Sequence, residues 1–225
     1  MVAYMETQTH NNTGTKTLTT GIIIIALLVC LAIWPVGILH NNKTSQPGNE
    51  YNHLTESLTG GIYAVQEFIP QYQYLEKLAI IVDVNAMTSD AGYLQLVVYD
   101  KNQTTLYAEQ IPVSELKSYQ DYIAEVNLKL QKGETYFYSL QAFDTDGEGP
   151  KAVYRSMSRV GAPEEVSLSY FGSAQLPDAA SMVRFIYRTG LTWYQILIYD
   201  GFILFIACLA LGLCSHRNHL QAMKE

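Results

Sequence analysis

The stretch Tyr122-Ile123-Ala124-Glu125-Val126-Asn127-Leu128-Lys129-Leu130 carries an apolar side chain at every second position, with Ile123, Glu125, Asn127 and Lys129 between them. Side chains of an extended strand point alternately to opposite faces, so this spacing predicts a strand with one face on a core and the other toward water.

The same device recurs on both sides. Ile80, Val82 and Val84 share one face, as do Leu94, Leu96 and Val98, and again Tyr136, Tyr138, Leu140 and Ala142. Turn-forming residues punctuate these runs at Ser89-Asp90-Ala91-Gly92, Asp100-Lys101-Asn102, Gln131-Lys132-Gly133 and Asp144-Thr145-Asp146-Gly147. Strands are expected near 59–69, 74–85, 92–100, 104–111, 121–130, 134–143, 151–158, 164–171 and 181–190, with a helical turn only at Ser114 to Tyr119. Many short strands without long helices between them predict a mainly β fold, an antiparallel jelly-roll β-sandwich over 59–190.

Two apolar runs bracket this region, Gly21 to Leu39 and Ile196 to Cys214. At roughly 1.5 Å per residue the first covers about 30 Å, the thickness of a hydrocarbon core. A cleaved secretory signal is the rival reading, but the run exceeds the usual apolar region of roughly 7–15 residues and no small-x-small cleavage pattern follows Leu39. Transmembrane helices are therefore expected at 21–39 and 193–214, the second opening on the aromatic belt Trp193, Tyr194 and Tyr199. Residues 1–20, rich in Thr and Asn, and 215–225 read as tails, and 40–58, with Pro47-Gly48, as a tether.

Asp200 is the anomaly of the second run. Starting the span after it leaves about 14 apolar residues, near 21 Å, so it falls one to two turns inside the membrane. Intramembrane carboxylates are retained mostly where they face a partner or water. Asp200 is thus a candidate polar contact to a polytopic membrane protein, or it reaches headgroup water beside Gly201. Lys16, Arg217 and Lys224 on one side oppose Lys43, Arg184 and Arg188 on the other, which leaves orientation undecided by charge. Long loops translocate largely regardless of charge, so the expectation is a two-pass cell-membrane protein with cytoplasmic termini and an extracellular β domain.

Between residues 40 and 191 there are 11 Lys or Arg and 18 Asp or Glu, so this region holds the whole formal charge of −7. An acidic domain without a basic patch does not suit nucleic acid or anionic lipid. Cys30, Cys208 and Cys214 all fall in the apolar runs, leaving no disulfide scaffold between them.

Ala64-Val65-Gln66-Glu67-Phe68, Leu75 to Asp83, Gly92-Tyr93-Leu94-Gln95-Leu96-Val97-Val98-Tyr99-Asp100 and Leu130-Gln131-Lys132-Gly133-Glu134-Thr135-Tyr136 together resemble jelly-roll domains of the carbohydrate-binding-module and galactose-binding type. In particular they are similar to those placed between two membrane spans in Gram-positive, Clostridia-like bacteria, often beside surface-polysaccharide machinery. The resemblance rests on strand-and-turn features and implies fold rather than function.

Histidines argue against an enzyme: His10, His216 and His219 fall in the tails, His40 abuts the membrane and His53 lies in the tether. None is expected inside the β region as a general base or zinc ligand, and no nucleophile elbow, zinc-protease or phosphate-loop motif occurs. A carboxylate-pair glycosidase is not excluded by composition. Asp144, Asp146 and Glu148 crowd three carboxylates between glycines, so a calcium ion is a candidate there, and modules of the resembled type often carry a structural one. They lack the EF-hand spacing, and an acidic hairpin turn is also a common solvated loop. Among 17 tyrosines, Tyr63, Tyr72, Tyr74, Tyr93, Tyr107 and Tyr119 fall on outward faces or loops, where flat rings could stack on sugars. β-Sheets also favour Tyr for packing alone.

The expectation is therefore a non-enzymatic, membrane-anchored binding module for a cell-surface glycan or an envelope protein. The alternative is an accessory subunit of a transporter or polysaccharide-assembly complex with no ligand of its own.

Overall fold

Alternation fixes the strands. In a computed structural model, which describes residues 2–34, 36–45, 53–156, 166–171, 174–176 and 179–223, Leu94, Leu96 and Val98 are fully buried while Tyr93, Gln95, Val97 and Tyr99 between them are half-exposed. The strands are β1 (His40–Thr44), β2 (His53–Ser57), β3 (Ala64–Phe68), β4 (Tyr74–Asp83), β5 (Tyr93–Asp100), β6 (Thr105–Pro112), β7 (Asp121–Ala124) and β8 (Leu128–Lys129). Then follow β9 (Tyr136–Phe143), β10 (Lys151–Ser156), β11 (Val166–Phe171), β12 (Ala174–Leu176), β13 (Ala179–Ser181) and β14 (Val183–Gly190). Helices α1 (Val2–Ile33) and α2 (Trp193–Ala222) flank them in sequence, and a 3-10 turn occupies Val113–Glu115.

Two antiparallel sheets form a sandwich. One runs β12-β11-β3-β9-β5-β6. The other is built on β4, where Leu78 pairs with Phe185 of β14 on one side and Ala124 of β7 on the other. Their inner faces meet in an aromatic-rich core: Phe68 packs on Phe185 with ring centres 4.7 Å apart, and Tyr138 and Tyr187 are fully buried beside them. Burying each such side chain stabilises by about 1.5–3 kcal/mol.

A thin polar seam crosses this core. The Ser181 N–H donates to Gln66 Oε1 at 3.0 Å, the Gln66 amide donates to the Glu67 carbonyl at 3.1 Å, and the Tyr138 hydroxyl bonds that of Ser181. Buried polar groups must be paired in this way or they cost stability, so the seam fixes how β3, β9 and β13 meet.

Several expected boundaries move. The strand foreseen over 121–130 divides into β7 and β8, because Asn127 takes a left-handed φ of 47° and its N–H turns to the Glu76 carbonyl. Alternation of burial survives the break, with Ala124, Val126 and Leu130 all buried. The strand foreseen over 181–190 divides at Met182, which bonds Val153 and Ile81 as the chain changes partner from β10 to β4. The supposed tether, 40–58, contains β1 and β2, which join β14 and β10. β1 is exposed along nearly its whole length, so His-Asn-Asn-Lys-Thr needs no apolar alternation to be a strand. Residues 157–158 and 164–165 of two further expected strands lie outside the described residues, as does Pro47-Gly48.

The helices form a unit of their own with residues 34–41. Residues 2–20, expected as an unstructured tail, continue the helix of the first apolar run. That helix stops at Ile33 rather than Leu39: Gly37 adopts a φ of 73°, and the N–H groups of Val36 and Ile38 cap the carbonyls of Leu31 and Ala32. Its apolar part, Thr17–Ile33, has 17 residues, about 25 Å. In α2, Trp193–His216 has 24 residues, about 36 Å, and is long and apolar enough to cross a membrane. The two helices pack on each other through Ala26, Cys30 and Ile33 of α1, while Ile196, Asp200, Ile203 and Ala207 form the half-buried stripe of α2. Those spacings of three and four keep each set on one face.

Candidate functional site on the six-stranded sheet

Register builds rows of side chains across the outer face of the six-stranded sheet. Tyr93 lies opposite Phe143, Gln95 opposite both Gln141 and Gln110, Val97 opposite both Ser139 and Ala108, and Tyr99 opposite Phe137. Leu94, Leu96 and Val98 of β5 and Tyr138, Leu140 and Ala142 of β9, which alternate with these residues, are buried inward, so the rows point away from the core. Tyr93 stacks on Phe143 with ring centres 5.5 Å apart and planes 21° from parallel, and Tyr99 on Phe137 at 5.4 Å and 12°. Six residues of strand separate the two pairs, about 20 Å at the usual rise.

Tyr63, immediately before β3, is 43% exposed and continues the Gln95–Gln141 row. Burial first, then the neighbouring Tyr63 hydroxyl, push the Tyr99 hydroxyl above its ordinary value. Among the described side chains the face therefore presents five rings, with amides and a hydroxyl between them. Among the described residues its rows from Tyr93 to Tyr99 hold one charged side chain, Glu67, opposite Phe137. Rings offer flat apolar area, and each amide both donates and accepts.

The eight-stranded sheet differs in kind. Lys77 pairs with Glu125 at 2.9 Å, Arg184 pairs with Asp121, and the Arg188 guanidinium sits 5.1 Å from the centre of the Tyr74 ring. Paired charges of this sort mark a solvated surface.

Only Tyr63 and Tyr93 of the six tyrosines singled out in the sequence reach the aromatic face. Tyr72 packs against Tyr187, Tyr74 lies under Arg188, and Tyr119 sits in a loop with a φ of 59°. Tyr107 instead turns inward at the open edge of the sandwich, where its hydroxyl donates to Glu109 Oε2 at 2.7 Å while Tyr122 donates to Oε1 at 2.9 Å. Burial and the Glu109 carboxylate push both hydroxyls up, that of Tyr122 to about 12. Tyr99, Phe137 and Phe143 were missed, although the period-two pattern placing Leu96 and Leu140 inward also places these three rings outward.

The acidic turn does not gather its carboxylates. Glu148 pairs with Lys151 at 3.0 Å and Asp146 accepts from Ser89 at 3.4 Å, while Asp144 takes a φ of 55°. Among the described residues no three His, Cys, Asp or Glu side chains come together in a group suited to a metal ion. His53, assigned to a tether, instead opens β2 and stacks on Tyr154 at 5.2 Å, because the tether is a strand. Asp200 lies on the half-buried stripe of α2, and its Oδ1 is buried without a hydrogen-bond partner among the described residues.

No family model matches the chain, and no curated protein matches it. Among solved structures it is similar to a mutant of Xylanase10C from Cellvibrio japonicus in complex with xylopentaose, at 15% identity and a TM-score of 0.35 over 66% of this chain and 28% of that one. It is also similar to the Yersinia pseudotuberculosis-derived mitogen, at 7% identity and a TM-score of 0.25 over 68% of this chain and 88% of that one. A third likeness is to the VP2 subviral particle of infectious bursal disease virus, at 10% identity and a TM-score of 0.28 over 71% of this chain and 35% of that one. The chain thus spans about a quarter of the xylanase, whose coverage is 28%. Likenesses this distant transfer no role, and the sandwich rests on the sheet pairing itself.

Proposed function

We propose that this chain is a non-enzymatic, membrane-anchored module that binds glycan on the outer face of its six-stranded sheet. One observation carries the reading: the Tyr93/Phe143 and Tyr99/Phe137 stacks bracket a row of three glutamines on a face nearly free of charge. Aromatic rings take the apolar faces of sugar rings, and amides bond their hydroxyls. A surface evolved only for solubility would carry the paired charges of the opposite sheet instead.

In this reading α2 and the apolar part of α1 both cross the cell membrane, with the termini cytoplasmic and the sandwich outside. Anchoring keeps the binding face at high effective concentration beside surface polysaccharide. Retention of the detergent-solubilised chain on immobilised cell-surface polysaccharide tests the proposal. The unaltered chain and a Lys77→Ala variant should be retained, and a Tyr99→Ala/Phe137→Ala variant of comparable melting temperature should elute early. Equal retention of all three would count against this face.

A further inference from the structure

We infer that the ligand of this face is an uncharged, linear polysaccharide lying along β5 and β9, and that anionic glycans are excluded from it. This rests on the glycan-binding reading above and adds the ligand's charge, shape and direction.

Direction follows from register. Both stacked pairs are made by the same two strands, Tyr93 with Phe143 and Tyr99 with Phe137, so the line joining them runs parallel to the strands. Its length of about 20 Å exceeds any single sugar ring and calls for a chain that meets rings at both ends. Between them Gln110, Gln95 and Gln141 form one row across three strands, and Ser139 lies in the next. A chain crossing these rows meets hydrogen-bonding groups between its two apolar supports.

Charge follows from composition of the same rows. Recognition of carboxylate, sulfate or phosphate relies on Arg or Lys, whose charge offsets the ligand's desolvation. None occupies an outward position between Tyr93 and Tyr99 on β3, β5, β6 or β9. Lys101, at the following turn, is held by Glu134 at 2.7 Å. Glu67, the one charge among the described residues of these rows, has the wrong sign for a polyanion, and the surrounding domain is acidic. Gln side chains present donors and acceptors of no net charge, which is what a hydroxyl-rich, uncharged chain requires.

The test uses the full chain in detergent against paired probes: linear glucan, mannan and galactan hexasaccharides, and the same three backbones with the C6 alcohols oxidised to carboxylates. At least one neutral member should bind, with its carboxylated counterpart tenfold weaker or worse, and affinity for the neutral member should be nearly the same at low and high salt. Gln141→Ala should weaken that binding several-fold without moving the melting temperature by more than a degree or two. Glu67→Gln should narrow the gap between neutral and carboxylated probes. Equal or tighter binding of a carboxylated probe overturns the inference while leaving glycan binding intact. Failure of all six probes overturns both.

Discussion

Tyr99 and Phe137 stack across the β5–β9 ladder with ring centres 5.4 Å apart and planes 12° from parallel, and Glu67 of β3 lies next in their row. Such a pair contributes about 0.5–1.5 kcal/mol beyond its buried area, yet both rings keep an exposed side. Tyr99→Ala is therefore expected to lower the melting temperature by only about 2–6 °C. Glycan affinity should fall tenfold or more, and calorimetry of folding and of binding on one preparation separates the two effects.

Gly92 sets the start of β5 and so the position of the Tyr93 ring. Its φ is 87°, and a Cβ there would strike the Phe143 carbonyl oxygen and lie 2.7 Å from the Asp144 carbonyl carbon. Both obstacles are backbone, so the β5–β9 pairing must shift to admit a methyl group. Gly92→Ala should cost more than the roughly 1 kcal/mol of a left-handed alanine alone and should weaken glycan binding as well. Gly133→Ala, where φ is 83° and no atom lies within 4 Å, should show only the smaller conformational cost.

The polar seam of the core makes a different prediction. Gln66→Leu leaves the Ser181 N–H without the oxygen it meets at 3.0 Å, at a cost of about 1–3 kcal/mol. Glu67→Leu, one residue along and on the outer face, should change urea stability by a few tenths of that. A smaller effect at Gln66 than at Glu67 would contradict the seam.

Alkaline pH should unravel the open edge of the sandwich. Burial, then the Glu109 carboxylate, hold the Tyr122 hydroxyl at about 12, and the same causes raise Tyr107. A tyrosine whose folded value lies above its unfolded value of about 10 contributes stability that is complete below pH 10 and lost as pH rises through the folded value. Stability is expected to decline from about pH 10 to pH 12. Glu109→Gln should bring two tyrosines of the phenolate absorbance titration to lower pH, while Tyr138, raised by burial alone, stays where it was.

Period-two alternation made the sandwich legible, because inward positions such as Leu94, Leu96 and Val98 exclude water and leave an apolar mark in the chain. β1 escaped notice for the converse reason: an exposed edge strand buries nothing and bears no mark. The end of α1 was misplaced because apolarity continues through Val36, Ile38 and Leu39 while Gly37 turns the backbone out of the helix. Two of the five described rings of the candidate face, Tyr63 and Tyr93, were readable. The other rings, Tyr99, Phe137 and Phe143, acquire meaning only through pairing between strands about 40 residues apart in sequence, which local pattern does not encode.

Hydroxyl-radical footprinting of the full chain in detergent, with and without the neutral hexasaccharide that binds it, addresses the central claim most directly. Tyr63, Tyr93, Tyr99, Phe137 and Phe143 should lose reactivity together on adding ligand, while Tyr72, Tyr74 and Tyr119 keep theirs. Protection of Tyr72, Tyr74 or Tyr119 with the five face residues unchanged would contradict the account.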